Sequence, residues 1–335
     1  MPAEGDRQER LWLAWPTSGY TLGETATDAE EARRTWAAVA NAAAGFEPVS
    51  VVVHPRDVDI APRYLDSAIE VRVREIDDAW IRDSGPTFVV NDGALEAVTW
   101  VFNGWGGQDW ASWEHDSELA PIVADWAGAK RIDSDLVNEG GGIHVDGLGT
   151  VLVTETVQRD PGRNPGITRE AVEVELARTL GTTKTIWLPR GLSRDSDTFG
   201  TRGHVDIVAT FSSPGTVLLH DQRDPAHPDF EVSRQLREVL AGETDARGET
   251  LRIVDLPAPA TLRDADGYVD YSYVNHVLVN DGVIACAFGD DNDDQAVGIL
   301  EDAYLGRRVI TVDARPLFAR GGGIHCITQQ QPVVA

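Results

Sequence analysis

The chain has 335 residues, with 29 Lys and Arg against 55 Asp and Glu, for a formal charge of −26. So acidic a protein repels nucleic acid and anionic membrane and attracts small cations, and two cysteines make no disulfide framework. The polar start Met1-Pro2-Ala3-Glu4-Gly5-Asp6 argues against a signal peptide, and no apolar run reaches membrane length, so the expected compartment is the cytoplasm.

In chain order, five segments read as amphipathic helices. They run from Thr27 to Gly45, from about Asp116 to Gly128, from Thr168 to Gly181, from about Phe230 to Gly242 and from about Asp291 to Gly306. A short β-branched run follows each: Val49 to Val53, Lys130 to Ile132, Thr185 to Leu188, Leu251 to Leu256 and Arg308 to Val312. After each run comes a polar segment that leads into a further strand. These segments are 77–83, 138–146, 203–206, 273–276 and 321–326. Turn signals at Asn91-Asp92-Gly93, Asp146-Gly147-Leu148-Gly149, Pro214-Gly215 and Asn280-Asp281-Gly282 predict hairpins after the first four. The fifth has a single strand left, and Leu11 to Trp15 is expected to pair with it.

Asp83, His144, His204, His276 and His325 are spaced by 61, 60, 72 and 49 residues. A near-regular αβ period with no linker predicts a single domain, residues 1–335, built of five repeated units in a radial array. It is closed by pairing of the N- and C-terminal strands. The polar segments then converge on the axis with Asp83, Glu139, His144, Asp146, His204, Asp206, His276, His325 and Cys326.

Two chemistries are open to that set. His144/Asp146 and His204/Asp206, each at two-residue spacing, could ligate a divalent ion. One cysteine in a carboxylate ring is a poor zinc site, however, and there is no Cys-x-x-Cys. Covalent catalysis fits better: a thiolate attacks while an imidazole moves protons. Carboxylates raise a thiol's pKa, which is wrong for an anionic or neutral substrate and right for a cation. A guanidinium is planar and binds carboxylates through paired N–H groups, which would hold its carbon before the sulfur. His144 and Asp146 are assigned to strand-end structure, His276 and Cys286 to the core, and Asp290 to Asp294 to capping of the fifth helix.

The segments Trp80-Ile81-Arg82-Asp83-Ser84-Gly85-Pro86-Thr87, Asn103-Gly104-Trp105-Gly106-Gly107, Glu139-Gly140-Gly141-Gly142-Ile143-His144-Val145-Asp146-Gly147, Gly203-His204-Val205-Asp206 and Gly323-Ile324-His325-Cys326-Ile327-Thr328-Gln329-Gln330 resemble the signatures of agmatine deiminases. Those enzymes belong to the guanidine-modifying superfamily with bacterial peptidylarginine deiminases. The likeness runs from Trp12 to Gln330.

The resemblance implies a five-bladed α/β propeller and a cofactor-independent hydrolase of putrescine and polyamine synthesis, often a homo-oligomer. It implies Cys326 as nucleophile, His204 as general acid and then base, and Asp83 and Asp206 as carboxylates on the guanidino nitrogens. Glu139 would orient the histidine, and Trp80 would wall the substrate beside Gly323. Three departures stand out: Gly200 where an acidic substrate contact is usual, Arg202 where Asn or Asp is common, and Gly323 for Asn. Asp195 and Asp197 are the nearest acids to stand in for the missing one. Agmatine is the expected substrate, with another guanidine such as peptidyl-arginine, or a non-catalytic binding propeller, as alternatives.

Overall fold

A computed structural model describes residues 1–334 as five small sheets. The strands are β1 (Gln8–Ala14), β2 (Val49–Val53), β3 (Glu70–Val73), β4 (Thr87–Asn91), β5 (Ala94–Val101), β6 (Lys130–Val137), β7 (Ile143–Val145) and β8 (Thr150–Thr154). The second half of the chain adds β9 (Lys184–Leu188), β10 (Ala209–Ser213), β11 (Thr216–Asp221), β12 (Arg252–Pro257), β13 (Val277–Val279), β14 (Gly282–Ala287), β15 (Arg308–Asp313) and β16 (Thr328–Pro332). Five longer helices are α1 (Ala26–Ala44), α2 (Leu119–Ala127), α3 (Arg169–Leu180), α4 (Asp229–Gly242) and α5 (Asp293–Ala303).

Four sheets share one plan. An antiparallel hairpin is followed by a helix that crosses over to a third strand, parallel to the second: β4-β5-β6, β7-β8-β9, β10-β11-β12 and β13-β14-β15. The parallel step needs a crossover connection, which the helix supplies. In the remaining sheet, ordered β16-β1-β2-β3, the antiparallel pair joins the two ends of the chain, Leu11 opposite Gln330 and Leu13 opposite Thr328. Strand β1 then runs parallel to β2 across α1. β3, absent from the sequence expectation, extends that sheet. This is the five-bladed α/β propeller.

Local chemistry sets these elements. Thr25 Oγ1 accepts the Asp28 amide at 3.1 Å while Asp28 Oδ2 accepts the Thr25 amide at 3.0 Å, a reciprocal cap that starts α1. Left-handed Gly128 and Gly181 end α2 and α3. Strand β16 is polar yet buried, and Trp12 Nε1 donates to Gln331 Oε1 at 2.9 Å across the seam. The acidic run at 290–294 places Asp293 and Asp294 in the first turn of α5, as expected, and also ties a loop. Asp290 accepts the amides of Ala260 and Thr261, and Asn292, the N-cap residue, makes no side-chain cap hydrogen bond. Loops leading into the first strands of the sheets carry the polar segments inward.

Candidate active site

Asp83 lies in a single helical turn, Ile81–Ser84, just before β4. Glu139 precedes the turn Gly140–Gly142 that opens β7. His204 and Asp206 flank the start of the turn Val205–Ile207 before β10, and Cys326 lies two residues before β16. All five side chains are buried. A Cβ on Gly141 would run into His204 Nδ1 and Asp83 Oδ1, so the glycine allows three chain segments to meet. A Cβ on Gly322 would lie 2.6 Å from Trp80 Cζ3 and 3.2 Å from Cys326 Sγ, so the indole edge and the sulfur flank the same backbone.

His204 sits between acids. Its Nε2 is 3.2 Å from Glu139 Oε2 and its Nδ1, with no hydrogen-bond partner among the described residues, is 3.7 Å from Asp83 Oδ1. Burial alone would lower its pKa; the carboxylates of Asp83 and Glu139 outweigh burial and raise it to about 9. Asp83 is raised to about 6, chiefly by burial, with His204 opposing and Glu139 and Asp206 adding to it. Trp105 Nε1 donates to Asp83 Oδ2 at 2.9 Å and the Gly141 amide to Oδ1 at 3.2 Å. Burial opposes ionisation of Glu139, yet Arg163 and His204 hold its pKa below the ordinary value.

The sulfur has its own ring of partners. Asn275 Nδ2 is 3.3 Å from Cys326 Sγ, and Asp206 Oδ2 is 3.6 Å away. The Asn275 orientation is fixed because its Oδ1 accepts the His325 amide at 3.0 Å. Burial, then Asp206 and Asp83, push the thiol pKa well above its ordinary value, while the Gly323 backbone and Asn275 oppose this. Asp206 Oδ1 is buried without a partner among the described residues, and Oδ2 faces His325 Nδ1 at 2.7 Å. Despite burial, His325 and His204 hold Asp206 below the usual carboxylate range.

The residues expected at the site therefore enter one cluster: Asp83, Glu139, His204, Asp206 and Cys326 by direct neighbours, Trp80 against the cysteine loop and Gly323 within it. Gly323 packs on Asn275, where a Cβ would collide with Oδ1. Asp146 serves its own turn, accepting from the Leu148 and Thr150 amides at 2.8 Å each. His276 bonds Tyr273 O and Tyr304 Oη. Asp195 does not replace the acid missing at Gly200. Its carboxylate is taken by Thr201, Gly203 and the His204 amide, as a brace for the loop. Asp197 is exposed on a cavity of about 530 Å³ lined also by Arg194, Phe199 and Tyr268.

Three residues escaped the sequence reading. Asn275 lay in a polar segment already noted, beside His276. Arg163 donates Nε to both Glu139 oxygens at 2.9 and 3.0 Å, Nη1 to Asp160 at 2.9 Å and Nη2 to Thr201 O at 2.7 Å, all buried. No motif marked it. Glu4, in the segment before β1, is 2.8 Å from His325 Nε2 and 3.4 Å from Arg82 Nη1. Glu4 is one of several acids at the start of the chain, with Asp6 and Glu9, and nothing local marks it as the buried one.

Such a set can bind a planar cation, present sulfur to it and move protons. The relatives agree with that chemistry. The family model for Porphyromonas-type peptidyl-arginine deiminase matches residues 1–332. A Streptomyces coelicolor protein named provisionally as an agmatine deiminase is 56% identical over 99% of this chain and 98% of its own. The agmatine deiminase of Stutzerimonas stutzeri is 39% identical over 99% of this chain and 95% of its own. The solved agmatine deiminase of Enterococcus faecalis superposes with a TM-score of 0.93 at 33% identity, covering 100% of this chain and 96% of that one. With residues 1–332 matched, the chain belongs to the Porphyromonas-type peptidyl-arginine deiminase family.

Proposed function

We propose that the protein hydrolyses agmatine to N-carbamoylputrescine and ammonia, with Cys326 as nucleophile and residues 1–335 acting as one catalytic domain. The observation that carries this reading is the buried, unpartnered Asp206 Oδ1 beside a buried thiol. An unsatisfied carboxylate oxygen in a dry site costs free energy until a donor fills it, and a guanidinium N–H is such a donor.

Charge supports the same class of substrate. Glu4, Asp83, Glu139, Asp160 and Asp206 are buried carboxylates, opposed by Arg82, Arg163, His204 and His325. Arg163 and Arg202 both reach Asp160, away from the sulfur, whereas Asp83 and Asp206 are the carboxylates that act on the thiol. These two are the groups assigned to the guanidinium nitrogens.

As the cation enters, it offsets the two acids that hold the thiol proton on, and that proton is released. The sulfur lone pair then forms a bond to the guanidinium carbon. His204, protonated at neutral pH, gives its proton to one nitrogen, and the C–N bond breaks to release ammonia. This leaves a cation with carbon joined to Sγ. Water adds to that carbon, losing a proton to His204, which Glu139 and Arg163 hold in place. The C–S bond breaks, giving the substituted urea and the starting enzyme. Trp80 stands as the wall beside the sulfur.

Cys326 is only 2% exposed, which favours a slim substrate over an arginine inside a folded chain. The free, buried cysteines and the acidic composition fit a reducing cytoplasm, and among the described residues no helix is long and apolar enough to cross a membrane. The test is ammonia release from agmatine, arginine and an arginine peptide. Turnover of agmatine above the others is expected. Inert agmatine alongside turnover of either other guanidine would end the substrate assignment.

A further inference from the structure

A second imidazole, behind the sulfur, is held between two acids. His325 Nδ1 lies 2.7 Å from Asp206 Oδ2 and its Nε2 lies 2.8 Å from Glu4 Oε1. A neutral ring has one donor and one acceptor nitrogen, whereas each of these nitrogens faces a carboxylate oxygen. Both carboxylates have reason to be ionised. Glu4 has Arg82 Nη1 at 3.4 Å and Gln330 Nε2, a donor, at 3.2 Å on Oε1, with His144 Nε2 at 3.6 Å from Oε2. His204 and Arg82 act on Asp206. The ring between them is therefore an imidazolium, and all three members are buried.

We infer that Glu4, acting through His325, is a positioning residue for the reaction: it locks the ring as a double donor, which keeps Asp206 ionised and leaves its free oxygen turned to the guanidinium. The inference rests on the assignment of Asp206 to the substrate. The order of the chain matters here, because a residue 321 positions away in sequence sets the charge of the ring next to the nucleophile. The Gln8 side chain secures the segment by donating to Glu4 O at 3.0 Å and Leu278 O at 2.9 Å.

The groups around the ring are few. Glu4 and Asp206 raise the His325 pKa against burial and against Arg82. Arg82, from the turn before β4, donates Nε to His325 O at 3.2 Å. His144, on β7, stands with ring centres 6.3 Å apart, and its Nδ1 accepts the Phe211 amide while Nε2 meets Thr210 Oγ1. His276 is turned away onto Tyr273 O and Tyr304 Oη. Cys326 adjoins the ring in sequence. Loss of Glu4 therefore leaves His325 with one anionic partner and Arg82 opposing it.

Glu4→Gln, in the full chain, tests the chain of contacts with agmatine between pH 6 and 8.5. At pH 8 the ring loses its proton, Asp206 loses a charged donor, and KM is expected to rise about 10- to 100-fold with a smaller change in kcat. The defect is expected to shrink toward pH 6, where the ring regains its proton. A merely structural defect would be alike at every pH. A second reading needs no variant turnover: ¹⁵N spectra of histidine-labelled wild type at pH 7.5 are expected to show both His325 ring nitrogens protonated, assigned by their loss in His325→Gln. A KM defect that does not vary with pH, an unchanged KM, or a neutral wild-type ring would overturn the proposal. Wild type that leaves agmatine untouched would sink the substrate assignment separately, and the ring spectrum would still decide whether the imidazolium lock exists.

Discussion

Asn275→Asp changes one atom in shape and places an acid beside the sulfur. Asn275 Nδ2 is 3.3 Å from Sγ, and its Oδ1 holds the His325 amide, a bond that the aspartate keeps. At 3.3 Å and an effective dielectric of about 20, two like charges repel by about 5 kcal/mol, between three and four powers of ten in thiolate population. Asn275→Ala adds no charge and loses the donor to sulfur and to the Asp206 carbonyl (3.2 Å) and the acceptor for the His325 amide, about 1.5 to 3 kcal/mol, or roughly 10- to 100-fold in rate. Ammonia release from agmatine at pH 8 should therefore rank wild type above Asn275→Ala and both far above Asn275→Asp. Alkylation of Cys326 by iodoacetamide should follow the same order, with thermal unfolding checking that both variants fold. The gap between the variants should widen as pH rises, because the new acid takes up a proton at low pH. Equal rates for the two at pH 8 would refute the claim that Asn275 acts on the charge of the sulfur.

Cys326→Ala should abolish ammonia release while moving the melting temperature little; residual turnover would exclude the covalent route. The pH profile of kcat/KM should be bell-shaped, with an acid limb near 6 as Asp83 takes up a proton and a basic limb near 9 as His204 loses its own; a flat profile from 5 to 10 would contradict both assignments. The same His204 pKa, raised from 6.5 to about 9, gives stability that is fully present below pH 6.5 and is lost as pH rises through 9. Melting temperature should fall over that window less steeply in His204→Gln than in wild type, and parallel curves would count against the assignment. Gly200→Glu should lower stability by several kcal/mol, on the order of other overpacked buried sites, because a Cβ there collides with the Asp195 carbonyl oxygen; an unchanged melting temperature would show that the loop is free to move.

Much of the architecture could be read from the chain because its signals are local. Glycines after α2 and α3, and the turn pairs before β5, β8, β11 and β14, act within a few residues of themselves. Cys326, His204 and Asp206 were visible because each sits in a short polar segment at a repeated position. Glu4, Arg163 and Asn275 were not, since what defines them is a partner across the ring. Asn275 meets Cys326 from 51 positions away, and Glu4 meets His325 from 321. The substituted loop at Gly200 misled for the opposite reason: Asp195 is near in sequence but spends its oxygens on its own backbone.

The seam between β1 and β16 also fixes when the enzyme comes into being. Translation delivers Glu4 long before the sulfur-bearing loop, and the strand that locks the ring follows only two residues behind Cys326. A nascent chain short of β16 holds four sheets that have already passed their helices, yet no finished pocket. The thiol thus meets its acids only as the circle shuts, so a chain stopped short of β16 would lack the closed ring on which the proposed role of Cys326 depends.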